Sequence, residues 1–209
     1  MDAYRTVVQE AKAEFTEKRS RFIGCIRPAA SEEEALAFFT RLKKEYWDAD
    51  HHVTAYVLRE GQVRRYSDDG EPQGTAGMPV LDVLLKAELV DCAVMVIRYF
   101  GGILLGTGGL VRAYSHGAAL TVGAAGIVDM RPCARLVLHC DYARLGMAEP
   151  LILSCGGVLD ACDYAEEVTL HFHMPLDRLP QFEKQLTEKS AGRLLAEVKG
   201  EAFYPFARS

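Results

Sequence analysis

A run of five glycines in the middle of the chain is the segment with the clearest chemical potential. The run comprises Gly101, Gly102, Gly106, Gly108 and Gly109. Residues 94–97 before it read as a buried strand, and residues from 110 onward have helical spacing. Free N–H groups ahead of a helix form a partly positive cradle for an anion. The pattern favours an anion site, although a tight crossover that needs glycine only for packing has the same composition.

Two arginines and one threonine complete this candidate anion or RNA site. Arg98 and Arg112 bracket the glycine run, and a guanidinium makes charge-assisted, bidentate contacts with phosphate or carboxylate. Thr107 lies inside the run, and we expect the backbone N–H groups of about 106–109 to hold the anion. Either arginine is then expected to supply the counter-charge.

Two familiar kinds of glycine-rich site are excluded by the neighbouring residues. Gly101 and Gly106 have P-loop spacing, but Thr107 and Gly108 follow where Lys and Ser or Thr are required. A dinucleotide fingerprint fails because Val111 occupies the position of its third glycine. We therefore expect neither ordinary nucleotide hydrolysis nor a Rossmann cofactor, and we predict no cofactor.

A second polar loop, at residues 67–75, is predicted to join a strand to a helix. Its candidate site residues, with a histidine from an earlier strand, are His51, Asp68, Asp69, Glu71, Gln73, Gly74 and Thr75. Histidine and carboxylates could bind a divalent metal, but the composition is also that of an ordinary turn. We predict no metal site and no catalytic residue, and we expect Thr75 to cap the following helix. Both loops are expected to lie on one surface, at the edge where strands end.

The composition limits the class of protein. The chain has 209 residues, 49% of them hydrophobic, and a net charge of −5, which does not predict general polyanion binding. Six cysteines without a C-x-x-C pair indicate free thiols in a reducing compartment. No signal segment and no long apolar run is found in the sequence. We expect a cytoplasmic protein without a membrane partner.

The order of predicted elements indicates two α+β domains, at residues 1–130 and 131–209. In the first, Ser31 and Glu34 form a capping box at the start of a helix. In the second, the predicted order is β-α-β-β-α-β, the arrangement of ferredoxin-like domains.

Four motifs in this order resemble those of the Impact/YigZ family. They occupy residues 20–24, 51–56, 67–77 and 98–114. The resemblance implies that residues 1–130 adopt the fold of the second domain of ribosomal protein S5. It also implies that residues 131–209 form a ferredoxin-like domain similar to the last domain of elongation factor G.

The resemblance also carries an expected function. Eukaryotic relatives regulate translation during starvation stress by competing for an activator of an initiation-factor kinase, with the help of an N-terminal RWD domain. This chain starts shortly before the first motif, so we expect a bacterial-type member without that domain. The expected activity is non-enzymatic regulation of translation through RNA, the ribosome or a translation-associated protein. The alternative is an enzyme acting on a phosphorylated or metal-bound small substrate at the glycine-rich loops.

Overall fold

The computed structural model describes residues 2–206. Within them the chain divides into two compact units, whose main segments are Tyr4–Asp129 and Met130–Phe206. The division falls one residue before the boundary predicted from the sequence. The range of strand β7 (Ile127–Cys140) includes this boundary.

The first unit is built on a five-stranded sheet. Its strands are β2 (Ala11–Glu17), β3 (Ser20–Pro28), β4 (His51–Val57), β5 (Arg64–Ser67) and β6 (Cys92–Tyr99). Their order is β2-β3-β6-β4-β5, and each neighbouring pair is antiparallel. A short strand, β1 (Tyr4–Val7), precedes them.

Helices cover both faces of this sheet. They are α1 (Glu32–Glu45), α2 (Gly77–Lys86) and α3 (Thr107–Ala125). On β6, Val94 and Val96 pack toward α2 and α3, whereas Met95 and Ile97 pack toward α1. Because successive strand residues point to opposite faces, a strand buried on both sides is apolar throughout.

The predicted capping box at the start of α1 is confirmed. Ser31 Oγ accepts the N–H of Glu34, and the Glu34 carboxylate accepts the N–H of Ala30. The helix packs Phe38, among others, into the core.

The second unit has the order β7, α4 (Tyr142–Ser154), β8 (Val158–Tyr164), β9 (Val168–Pro175), α5 (Leu179–Ser190), β10 (Ala196–Phe206). Strand β9 lies between β7 and β8, and β10 pairs with β7. The strand order is therefore 4-1-3-2 within the unit, as in ferredoxin-like sandwiches. One core, including Phe172 and Phe182, joins the sheet to the two helices. The predicted α+β fold class, an S5 domain 2-like unit followed by a ferredoxin-like unit, is confirmed.

Two further findings bear on the sequence-based expectations. All six cysteines are free, and five of them are buried. None of the helices within residues 2–206 is long and apolar enough to cross a membrane.

Candidate functional site

Both predicted loops leave the same edge of the first sheet. Strands β5 and β6 each pair antiparallel with β4, so they run in one direction and end at one edge. The turn between β2 and β3 lies at that edge too, because β3 pairs antiparallel with β6. The two loops share this edge in an antiparallel sheet because β5 and β6 are separated by a single strand, β4.

Strand register places His51 and Arg98 opposite each other at this edge. Arg98 follows Val94 and Val96 in the alternation, so it faces α2 and α3. His51 shares this face with Val53. His52 points to the other face, where its Nε2 lies 2.8 Å from the carbonyl of Tyr46.

Arg98 and Glu71 form a buried ion pair at the centre of the site. Arg98 Nη1 donates to Glu71 Oε1 at 2.7 Å, and only 5% and 4% of the two side chains are exposed. The hydroxyl of Tyr114, on α3, donates to the same oxygen at 2.7 Å. Burial, followed by the neighbouring Glu71 carboxylate, strongly raises the pKa of the Tyr114 phenol. Three elements are therefore joined at one carboxylate oxygen.

This pairing corrects one part of the predicted anion site. Arg98 was expected to offer a free positive charge to an anion, but Glu71 neutralises it. The Arg98 guanidinium also lies over the rings of Phe22 and Phe100, at 5.5 and 5.4 Å from their centroids. Of the two predicted arginines, only Arg112 is exposed and without an ion pair among the described residues.

Ser20 links the glycine-rich loop to the sheet. Its Oγ lies 3.3 Å from Arg98 Nη2 and accepts the N–H of Gly101 at 3.2 Å. A Cβ on Gly101 would lie 2.0 Å from the carbonyl carbon of Arg19. Glycine is thus required at position 101 by the close approach of two backbone segments. At this position the glycine serves packing rather than anion binding. Sequence reasoning did not predict this role of Ser20, because the only signal at this position is its place in a motif.

His51 lies beside the buried pair. Its Nδ1 is 2.9 Å from the carbonyl oxygen of Asp69, and because a carbonyl only accepts, Nδ1 carries a proton and donates. Its Nε2 is 3.8 Å from Glu71 Oε1. The Asp69 carbonyl therefore orients the imidazole ring, so that its Nε2 faces Glu71.

The two aspartates of the second loop hold the backbone. Asp68 Oδ1 accepts the N–H groups of Ala76 and Gly77, and its Oδ2 accepts that of Gly74. Asp69 Oδ2 accepts the N–H of His52 at 2.6 Å. Both carboxylates are thus occupied by N–H groups of the same unit.

The predicted cap of α2 was wrong. Thr75 donates its hydroxyl to the carbonyl of Pro72 instead of capping the helix, because Asp68 already accepts the N–H groups at the helix start. Gln73 is exposed, and Gly74 has φ of +76°, a conformation that favours glycine. These residues shape the loop rather than converge with Glu71.

The glycine-rich loop leaves the start of α3 open. The helix begins at Thr107, three residues earlier than expected, and its N-cap, Gly106, has no side chain to cap it. Gly102 and Gly106 have φ of +81° and +71°, so their conformation favours glycine. Gly108 is required neither by a positive φ nor by a close backbone contact, because a Cβ there would meet only the end of the Arg112 side chain at 3.7 Å.

A cavity of about 440 Å³, here called the loop cavity, lies between the two loops. It is lined by residues of both, among them His51, Glu71, Arg98, Phe100, Leu104 and Thr107. Five of the predicted site residues line this one cavity: His51, Glu71, Arg98, Gly106 and Thr107. The other predicted residues are not among its lining residues: Asp68, Asp69, Gln73, Gly74, Thr75, Gly101, Gly102, Gly108, Gly109 and Arg112.

A second concavity of about 240 Å³, here called the basic groove, lies along the first turns of α3. Its polar lining includes Glu17, Lys18, Arg112 and His116. Gly109 is also part of its wall. Across residues 2–206, no three His, Cys, Asp or Glu side chains converge in an arrangement that could hold a metal ion.

Comparison with known proteins decides the family. Residues 18–122 match the family model of the Impact N-terminal domain, and residues 138–193 match a domain of unknown function, DUF1949. The chain is 34% identical over 206 residues to the IMPACT family member YvyE of Bacillus subtilis, covering 98% of this chain and 94% of that protein. This chain belongs to the IMPACT family.

Other members of the IMPACT family are similar over different lengths. The family member YigZ of Escherichia coli is 36% identical and covers 90% of this chain and 91% of its own length. The Protein IMPACT homolog of Dictyostelium discoideum is 35% identical over 106 residues, 48% of this chain and 29% of that protein. A crystal structure described as that of an hypothetical protein has a TM-score of 0.61 at 33% identity, covering 96% of this chain and 98% of its own.

Proposed function

We propose that this IMPACT family member is a non-enzymatic, cytoplasmic regulator of translation. It binds RNA, such as the RNA of the ribosome, through its Tyr4–Asp129 unit. The observation that carries the proposal is a group of three exposed cations. Lys18 and Arg112 line the basic groove along the first turns of α3, and Arg19 follows Lys18 in the turn between β2 and β3. Within the described part of the chain, none of the three forms an ion pair, whereas the nearby Arg21 pairs with Glu14.

The turn that carries Lys18 and Arg19 supports a binding role. Both residues have positive φ, 44° and 66°, in a two-residue connection between β2 and β3. Such turns favour Asn-Gly, because positive φ is unfavourable for side chains with a Cβ. Backbone strain of this kind is concentrated at functional sites. Lys18 and Arg19 therefore occupy turn positions at which the backbone conformation favours Asn and Gly, which supports a role for their charges in binding.

The start of α3 adds donors to these charges. The N–H groups of Thr107, Gly108 and Gly109 lie in the first turn of the helix and are not capped by a side chain. A phosphate at an exposed helix N-terminus gains about 0.3–1 kcal/mol from the helix dipole. A hydrogen bond to a charged group contributes about 1.5–3 kcal/mol. Arg112 and Lys18 can thus hold neighbouring phosphates of one RNA strand.

The test compares charge variants in the same unit. We expect Lys18→Glu and Arg112→Ala to weaken binding to a short fluorescein-labelled RNA and to reduce co-sedimentation with purified ribosomes. Each lost phosphate contact lowers the slope of log affinity against log salt by about 0.7–0.9. Arg64→Ala is the matched control, because Arg64 is also exposed and lies on β5.

Two outcomes would contradict the proposal. The first is an equal loss of RNA binding in Arg64→Ala, since this would indicate unspecific attraction. The second is the absence of RNA and ribosome binding at low salt. Capture of a translation-associated protein by the wild type alone, with no RNA, would move the function to protein recognition.

A further inference from the structure

We infer that the basic groove holds one unpaired guanine base of a single-stranded RNA, and that Glu17 selects this base. The inference rests on the proposed function, in which Lys18 and Arg112 hold phosphates of the strand, and it adds the identity of the base between them. The groove has a volume of about 240 Å³, below the roughly 300–1,000 Å³ of sites for drug-sized molecules. Its walls include the buried side chains of Leu105 and Ala113, so it suits a small, flat body such as a nucleobase.

An unpaired carboxylate among cations is the feature that indicates base recognition. Glu17 is exposed and lines the groove together with Lys18 and Arg112. It forms no ion pair or hydrogen bond with any residue that the structure describes, whereas Glu14 on the same strand pairs with Arg21. Because a carboxylate repels phosphate, Glu17 would weaken a groove that held only the RNA backbone. A base with N–H groups on its edge gives this carboxylate a favourable partner.

The strand and the helix that enclose the groove place an aromatic ring beside Glu17. Phe15 and Glu17 alternate to the same face of β2, toward α3, about 6.8 Å apart along the strand. On α3, Arg112 and His116 are four positions apart and therefore neighbours on one face of the helix. The exposed ring of His116 lies 4.8 Å from the ring of Phe15, at an interplanar angle of 82°. A base that stacks on His116 can therefore reach Glu17 with its edge.

The chemistry of a carboxylate determines which base fits. An ionised carboxylate only accepts hydrogen bonds, so the base must present donors on its free edge. The Watson–Crick edge of guanine carries two adjacent donors, N1–H and N2–H₂, which match the two oxygens of Glu17. Uracil presents two carbonyl acceptors around one donor, and adenine and cytosine present one amino group beside an unprotonated nitrogen. In a duplex these edges are paired, so the groove reads only a single strand.

Fluorescein-labelled RNA octamers that differ in one central base test the assignment. We expect the full chain to bind an octamer of uridines with one central guanosine about tenfold more tightly than octauridine. Glu17→Gln should change the two affinities in opposite directions. It should strengthen octauridine about twofold, because a repulsive charge is removed. It should weaken the guanosine octamer about fivefold, because an amide has only one acceptor oxygen.

The variant Glu33→Gln is the matched control for the loss of one negative charge. Glu33 is also exposed and forms no ion pair within residues 2–206, but it lies on α1, which packs against the opposite face of the sheet. This variant should leave the ratio of the two affinities unchanged. If Glu17→Gln instead strengthens both octamers by the same factor, Glu17 acts only through its charge and the inference is overturned.

The aromatic ring of the groove has its own test. Stacking is tolerant of sequence because every base has a π-face, so His116→Ala should weaken both octamers by a similar factor of about five to ten. Because His116 is exposed, the melting temperature should stay close to that of the wild type. Unchanged affinity for both octamers in this variant would contradict a base held in the groove.

Failure of the inference is distinguishable from failure of the proposed function. If all octamers bind, and Lys18→Glu weakens all of them, but guanosine gives no advantage, the RNA proposal stands and the assignment of the base is wrong. A guanosine preference that persists in Glu17→Gln would also overturn the role of Glu17. If no octamer binds at low salt, the RNA proposal and the inference both fall.

Discussion

Arg98 and Glu71 lie 27 residues apart in the chain and meet at 2.7 Å in the interior of the first unit. The pair joins the end of β6 to the loop after β5, and Tyr114 attaches α3 to the same carboxylate. A buried pair of this kind contributes to stability only while both partners are present, because a single remaining charge has no solvent to compensate it.

Removing the carboxylate should therefore destabilise the first unit strongly. We expect Glu71→Ala to lower the free energy of unfolding by about 3–5 kcal/mol, since it leaves the Arg98 charge buried. Glu71→Gln, which keeps an acceptor for Tyr114, should cost less. Urea denaturation followed by circular dichroism measures both. A loss below about 1 kcal/mol in Glu71→Ala would show that water reaches Arg98.

The contact between β3 and α3 gives a second prediction. A Cβ on Gly24 would lie 1.9 Å from Oγ1 of Thr121, which is fully buried and donates to the carbonyl of Gly117. We expect Gly24→Ala to lower the free energy of unfolding by about 1–3 kcal/mol through overpacking.

The same contact provides the control for that prediction. Thr121→Ala removes the clashing oxygen, so the double variant Gly24→Ala with Thr121→Ala should be more stable than the sum of the two single effects. Simple additivity in thermal unfolding would mean that the helix shifts to accommodate the methyl group.

Stability should fall in alkaline solution because of a buried thiol. Burial, followed by the neighbouring Asp91 charge, raises the pKa of Cys92 from its ordinary value of 9.0 to about 12. The folded protein therefore keeps a proton that the unfolded chain loses. The resulting stability is fully present below pH 9 and is lost as the pH rises toward 12.

The variant Cys92→Ala isolates this contribution. Between pH 9 and 10.5, we expect the free energy of unfolding of the wild type to fall by about 1–2 kcal/mol more than that of the variant. Urea denaturation at a series of pH values measures the difference. Parallel curves would show that Cys92 titrates at its ordinary pKa in the folded protein.

The turn at Lys18 and Arg19 should lower the stability of the fold while it contributes to RNA binding. Replacing Lys18 by Asn and Arg19 by Gly supplies the residues that positive φ favours, and we expect the double variant to gain about 1 kcal/mol in stability. Its affinity for RNA should fall, because two charges are lost. A variant that is more stable and binds RNA as well as the wild type would show that the turn is not part of the RNA surface.

Local patterns predicted the fold well. The capping box at Ser31 starts α1 because its two hydrogen bonds involve residues at most four positions apart. The apolar run around Val94 identified a strand covered on both faces. In the second unit, each element has its own periodicity, and the order of six elements is sufficient to indicate a ferredoxin-like sandwich.

The site was less predictable, because its contacts join distant parts of the chain. Arg98 is neutralised by Glu71, and nothing in the spacing of either residue indicates that they pair. Asp68 caps α2 from eight and nine residues upstream, outside the range of capping signals, which is why Thr75 was assigned that role. The sequence identified the residues at the sheet edge but not which charges remain free there.

The carboxylate of Asp68 has a consequence for how fast and how tightly the edge of the sheet can bind. By accepting N–H groups from Gly74, Ala76 and Gly77, it closes the loop that holds Glu71 before any other molecule arrives. The loop is preorganised, so association need not be accompanied by a large loss of conformational entropy. Encounters with this edge should then resemble rigid-body docking, with rates set by diffusion and charge rather than by loop rearrangement.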